Sequence, residues 1–207
     1  MKLLSRIIVS VLLVMVPLCT WAGDDRYVKG LVQCEALIGG GNGWNFGAGI
    51  NLGKETHRLQ FQTSINYKII SNTGSNSEED KYATVDQMGI KYTSISVPFE
   101  LHVETVGLAG FFIGTGVVYN FNMGGKLVDK ETGVSTPLVD AINRHNVAGR
   151  ISAGFNFLRL SIKLYTDIKI TDPLKKYSIS DRLFEYTGAI EDALRKTTLG
   201  LSVYYKF

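Results

Sequence analysis

Residues Leu199-Gly200-Leu201-Ser202-Val203-Tyr204-Tyr205-Lys206-Phe207 decide the fold. Every second residue back from Phe207 is apolar: Tyr205, Val203, Leu201 and Leu199. Between them stand Lys206, Tyr204, Ser202 and Gly200. A β-strand points successive side chains to opposite faces, so this segment has one apolar face and one small or polar face. A strand of this kind that finishes on an aromatic residue reads as the closing strand of a bacterial outer-membrane β-barrel.

The amino-terminal segment agrees. Lys2 and Arg6 form a positive region, and Ile7 to Leu18 is an apolar run of 12 residues. Thr20-Trp21-Ala22 then sets small residues at the first and third positions of a cleavage site before Gly23. The pattern is that of a secretory signal peptide, too short to cross a hydrocarbon core of ~30 Å as a helix. The expected organisation is a signal peptide, Met1 to Ala22, and one barrel domain, Gly23 to Phe207. Losing Lys2 and Arg6 takes the formal net charge from +3 to +1. A near-neutral chain gives no case for a nucleic-acid partner. Cys34 is then the one remaining cysteine, which rules out an internal disulfide and a cysteine-based metal site. No later stretch has the length and apolarity of a membrane helix, so a membrane crossing requires a closed barrel with every backbone group paired.

Seven further segments alternate with period two: Gly30 to Ile38, the least regular, then Trp44 to Leu52, Leu59 to Ile69, Ser94 to Glu104, Gly110 to Phe121, Val147 to Phe157 and Leu158 to Ile170. With the closing strand they make eight. Gly53 to His57, Thr105 to Gly107 and the Phe157-Leu158 junction are short connections. Ser71 to Gln87, Asn122 to Asn146 and Thr171 to Arg195 are long ones. Short and long links alternate, except that Gly39 to Gly43 is short where a long one is expected. This is the layout of an all-β, eight-stranded antiparallel up-and-down transmembrane β-barrel, with short periplasmic turns and longer outer loops. Within the long links, Thr136 is placed to cap a turn beginning at Pro137, and Leu183, Tyr186, Ile190 and Leu194 share one helical face.

Alternation alone does not say which face is outside, since a soluble lipocalin-like barrel shows the same period with apolar residues inside. Three features favour the membrane arrangement. The apolar faces carry no charge over whole strands. Trp44, Tyr67, Tyr92, Tyr119, Phe155, Phe157, Tyr205 and Phe207 gather near strand ends, as interfacial girdles do. The opposite faces carry Lys68, Lys91, Glu100, Arg150, Arg159, Lys163 and Asp167, charges of both signs that neutralise one another inside a narrow barrel.

Tyr92-Thr93-Ser94-Ile95-Ser96-Val97-Pro98-Phe99-Glu100-Leu101 resembles the tyrosine, isoleucine, proline and leucine strand of the PorT-like outer-membrane barrels. The short turn after it and Gly110-Phe111-Phe112-Ile113-Gly114-Thr115-Gly116-Val117 are similar to that family's next, glycine-rich strand. The resemblance is specific across Tyr92 to Gly116 and at Phe207, and elsewhere is one of layout. It implies a small outer-membrane barrel. The secretion role tied to PorT itself does not follow from these residues.

The interior of eight strands is just wide enough for its own side chains, so a large diffusion pore is not expected. Lys68, Glu100, His102, Arg150, Arg159, Lys163 and Asp167 are expected to pair, because an unpaired buried charge costs several kcal/mol. An enzyme needs a base held beside a nucleophile. The histidines offer three places: His57 in a short turn, His102 near Glu100 and Glu104, and His145 near Asp140 and Ser135. No motif fixes a triad among them, and no His or carboxylate cluster has metal-ligand spacing. Gly39, Gly40, Gly41 and Gly43 precede no helix and read as a hairpin rather than a phosphate loop, and Glu78-Glu79-Asp80 reads as a solvated loop. Catalytic, cofactor-binding and metal residues are therefore each expected to be none. The expected function is a structural or interaction module in the bacterial outer membrane, with membrane lipid around it and a protein partner at its outer loops. A lipid-modifying or hydrolytic barrel enzyme using His145 or His102 is one alternative, and a secretion-apparatus subunit is another.

Overall fold

A computed structural model describes residues 26–39, 42–54, 57–73, 88–105, 110–129, 133, 135–138, 142–172 and 197–207. They form β1 Arg26–Gly39, β2 Asn42–Lys54, β3 His57–Thr73, β4 Met88–Glu104, β5 Phe111–Asp129, β6 Ser135–Pro137, β7 His145–Phe157, β8 Leu160–Lys169 and β9 Thr198–Lys206. β6 is a short hairpin partner for the far end of β5. The other eight strands pair antiparallel with their neighbours, β4 with β5 and β1 with β9 included, so the sheet closes into an eight-stranded barrel. The expected signal peptide and the helical face of Leu183, Tyr186, Ile190 and Leu194 lie outside the described residues.

The closing strand forms the seam. Its pairing with β1 runs from Lys206 opposite Leu31 to Leu199 opposite Gly39. Phe207 extends it: its N–H donates to the Gly30 carbonyl at 2.9 Å, and the Gly30 N–H donates to the Phe207 carbonyl at 3.1 Å. The Phe207 ring occupies the space that a side chain at position 30 would need, which is why glycine stands there.

The connections fall at two ends. Lys54 to His57, Glu104 to Phe111 and Phe157 to Leu160 are short and lie at one end, where β1 starts and β9 finishes. The β3–β4, β5–β7 and β8–β9 connections are longer and lie at the other, together with the short β1–β2 link. Several strands run further than the alternation indicates, β4 and β5 by the most. β5 continues to Asp129, and β4 begins at Met88, opposite it. The start of the expected loop Asn122 to Asn146 is therefore ladder. A bulge between Thr93 and Ser94, opposite Asn122 and Gly124, shifts the register by one residue. The sequence alternation stops there while the pairing goes on. Thr136, expected to cap a turn, sits in β6. Pro137, where that turn was expected to begin, is also in β6, and beyond it the Ile142 N–H donates to the Leu138 carbonyl at 3.1 Å.

The polarity is inverted relative to a soluble protein. Trp44, Phe46, Ile65, Ile113, Ile151, Leu164 and Val203 are exposed on the outer face. Gln62, Asn66, Glu100, Arg150, Lys163 and Ser202 are buried in the lumen. Such an aliphatic exterior around a polar interior belongs in lipid, and the chain is a transmembrane barrel of the outer-membrane type. Three face assignments need correction. Lys91 is exposed, because it shares the outward parity of Ile95 and Val97. Tyr92 is consequently buried rather than part of an aromatic girdle. Arg159 is also exposed: it sits in the two-residue turn with Leu158 (φ 55°), and its Nη1 lies 3.4 Å from the Tyr205 hydroxyl. The turn ends the alternation at Leu158.

Leu164, midway along β8, is 48% exposed while its neighbour Lys163 is fully enclosed. Leu164→Lys should destabilise the folded barrel by ~2–4 kcal/mol, the cost of a cation on the lipid face near the midplane. Ser161→Ala, which removes one lumen hydrogen bond to Asn156, should cost only ~0.5–1.5 kcal/mol. Urea unfolding in lipid vesicles, followed by heat-dependent gel mobility, checks both.

Candidate functional site

The centre of the lumen is an ionic network around Glu100. The lipid-facing Phe99 and Leu101 on either side turn the Glu100 side chain inward. Lys163 Nζ, from β8, donates to Glu100 Oε1 at 2.7 Å, and Arg150 Nη1, from β7, donates to the same oxygen at 3.2 Å. The other oxygen accepts from Ser152 Oγ at 3.3 Å and lies 3.1 Å from His102 Nε2. Arg150 also grips Asp167, its cross-strand partner, through Nε at 2.6 Å and Nη2 at 2.9 Å. This forked geometry is the strong form of an arginine–carboxylate pair. The guanidinium lies over the Tyr165 ring, 3.8 Å from its centroid. The Tyr165 hydroxyl donates to Glu35 Oε2 at 2.9 Å, and Glu35 stands 3.7 Å from Arg150 Nη1.

Glu35 is a member that alternation could place inward but not rank. It accepts from the Asn45 amide and from Gln33, whose amide also reaches Asn66 Oδ1 at 2.6 Å. Three buried acids, Glu35, Glu100 and Asp167, thus share the lumen with the buried cations Lys68, Arg150 and Lys163, and a fourth buried cation, Lys206, lies in the same layer as the half-buried Glu104. Charges taken out of water need this matching, because a single unpaired partner is strongly unfavourable. The β7–β8 side of the network is complete. On the β2–β4 side, both ends of the Gln62 amide and the Ser96 hydroxyl have no protein partner. A second layer lies nearer the short-turn end. Glu104 accepts from Gln60 at 2.8 Å and Asn156 at 2.9 Å, and Lys206 Nζ donates to Asn156 Oδ1 at 3.0 Å.

The long-loop end is closed differently. Leu37, Ile70 and Tyr92 point inward there, and Leu138 and Ile142, from the segment after β6, are buried with them. The Leu138 N–H donates to the Gly125 carbonyl at 2.9 Å. Gly125 is bare where Ile142 Cδ1 and Tyr92 Cβ both close in, so a side chain there would push the two apart. Asn122 holds the segment down from below, donating through its backbone to the Arg144 carbonyl and through its side chain to the Asn143 carbonyl. The result is an apolar stopper over an ionic core.

The sequence-derived catalytic candidates separate. His102 meets Glu100 but not Glu104, and it is buried against the Phe112 ring at 4.6 Å. Its neighbour across Gly114 is Ser152, whose hydroxyl donates to Glu100. The acid therefore stands between base and hydroxyl, which is not the order that activates a nucleophile. His145 faces outward, with Nδ1 at the Tyr119 hydroxyl and its ring 5.3 Å from Phe121. Ser135 pairs with Val128 while His145 pairs with Phe121, seven β5 residues away, roughly 23 Å of strand. Asp140, Gly40, Gly41 and the Glu78-Glu79-Asp80 run lie outside the described residues, as does the His57 side chain. Among the described residues no three His, Cys, Asp or Glu side chains are grouped to hold a metal ion.

Glu100→Gln should leave Lys163 and Arg150 short of an acceptor charge and destabilise the barrel by ~3–5 kcal/mol. Adding Lys163→Met should recover part of that loss, because it removes the stranded cation. Urea midpoints for the single and double variants check the sign of the coupling.

The sequence matches no protein-family model and no curated protein. Among solved structures, a major outer membrane protein of Thermus thermophilus is similar, with a TM-score of 0.50 and 14% identity over 87% of this chain and 100% of that one. Neisserial surface protein A is similar with a TM-score of 0.43 and 13% identity, over 90% of this chain and 100% of that one. CarO2 of Acinetobacter baumannii is similar with a TM-score of 0.44 and 11% identity, over 89% and 100%. The likeness to the Thermus protein is one of fold.

Proposed function

We propose that this chain is a non-conducting outer-membrane barrel that carries a protein-interaction surface at its long-loop end. The observation that supports this reading is the blocked lumen: an ionic core of matched charges beneath a stopper made by Leu138, Ile142, Tyr92, Ile70 and Leu37. With transport disfavoured, the parts of the chain free to meet a partner are those beyond the membrane.

There β3, β4 and β5 run 17, 17 and 19 residues, against 10 and 9 for β8 and β9, so one side of the barrel stands higher. β6 widens this raised flap. On its outer face Lys91 pairs directly with Lys126, and both are exposed. Like charges opposite one another weaken a ladder, so the pair favours an acidic partner rather than the fold itself. Lys126 lies five residues beyond Phe121, about 16 Å of strand past the aromatic Tyr119, Phe121 and His145 group. A place in a secretion apparatus is a narrower form of this reading. Its support is the resemblance of the β4–β5 hairpin, Tyr92 to Gly116, to PorT-like barrels. The enzyme alternative gains nothing from the buried His102 or the lipid-side His145.

In planar bilayers the purified barrel should give no conductance steps. From outer membranes in mild detergent it should migrate with a partner, and Lys91→Glu with Lys126→Glu should release that partner while heat-dependent mobility is kept. Steady channel openings, or a barrel that migrates alone before and after the substitutions, would contradict the proposal.

A further inference from the structure

The lipid face is not evenly filled. A groove of about 490 Å³ crosses β4, β5, β7, β8 and the start of β9. Its floor is Thr115, Ala153 and Thr166, the short side chains of this face. The ladder explains the shape. Thr115 pairs with Ile151 and Ile151 with Thr166, while one rung lower Ile113 pairs with Ala153 and Ala153 with Leu164. Short and long side chains therefore alternate across neighbouring strands, and the three short ones meet around Ala153. Leu101, Ile113, Ile151 and Leu164 stand as walls, all exposed. The Thr115 hydroxyl is turned to the backbone, donating to the Arg150 carbonyl at 3.3 Å, so at this position the floor presents a methyl group.

We infer that this groove seats one acyl chain of a diacyl phospholipid from the leaflet on the short-turn side. Three observations select that occupant. The groove is continuous with the apolar band that lipid already covers. Its low end, at Val103 and Ile113, lies one rung from Glu104 opposite Phe112, the last pair before the short turn. It therefore opens toward the leaflet on the short-turn side. Its short floor residues Thr115, Ala153 and Thr166 lie between the longer walls Leu101, Ile113, Ile151 and Leu164, a relief that a flexible chain can follow. A second copy of the barrel would meet it with a convex sheet face of bulky side chains and leave the floor uncovered.

The test uses the intact barrel, folded into vesicles of palmitoyl-oleoyl phosphatidylcholine, extracted in mild detergent and weighed by native mass spectrometry. The expected species is a barrel that keeps one phosphatidylcholine after the detergent is stripped. Ala153→Phe, which fills the floor, should lower the retained fraction several-fold, and Thr166→Leu should act the same way should Ala153→Phe fail to fold. Ala48→Phe, at another exposed small residue on the lipid face of β2, should leave retention unchanged. Heat-dependent mobility verifies that each variant is folded. No retained lipid, equal retention in Ala153→Phe and Ala48→Phe, or a dimer mass that Ala153→Phe abolishes would overturn the inference.

Discussion

Lipid offers no hydrogen bonds to a backbone, so the structure depends on closing the sheet. The seam between β1 and β9 does that. Its last rung is the pair of bonds between Gly30 and Phe207, and without the seam both edges would face hydrocarbon unpaired. Once the sheet is closed, its two faces have different solvents. The outer one must be apolar, and the polar half of each alternating strand is left with the lumen as its only place.

That forced enclosure explains the ionic core. Charges gathered in a narrow space have to be matched, and Arg150 makes the match possible by contacting Glu100, Asp167 and Glu35 together. Its flat guanidinium also stacks on Tyr165, which a lysine ammonium would not reproduce. Near the long loops the same lumen is sealed by aliphatic contacts instead. The lumen is thus filled by charge pairs in its middle and by apolar side chains at its mouth. The surfaces left free are the raised β3–β5 side and the lipid face.

Much of this was legible in the sequence because a strand repeats every two residues. Leu199 to Phe207 shows which residues face outward, and the structure places Leu201, Val203 and Tyr205 outside with Ser202 and Lys206 inside. Where the period fails, so does the reading. The bulge at Thr93/Ser94 hides the upper ladder of β5, and the turn at Leu158 and Arg159 ends the alternation and leaves Arg159 outside. Parity also says nothing about distance across a lumen. It sets Glu35 and Glu100 inside, yet that both contact Arg150 depends on the curvature of the whole barrel. Leu138 and Ile142 carry no periodic signal at all, because they belong to a folded-in segment rather than a strand. The lipid-face groove was equally silent, since it arises from the register of short residues on three strands.

The central claim is the inverted polarity of a closed barrel, and nitroxide scanning along β9 tests it most directly. With Cys34 replaced by serine, single spin labels at Leu199, Leu201, Ser202, Val203, Tyr204 and Tyr205 would be read for collision with oxygen and with a water-soluble nickel complex in lipid vesicles. The account predicts high oxygen exposure at Leu201, Val203 and Tyr205, and low exposure to both quenchers at Ser202 and Tyr204. Oxygen exposure at Ser202 and Tyr204 with protection at Leu201 and Val203 would contradict it, and so would equal exposure at all positions.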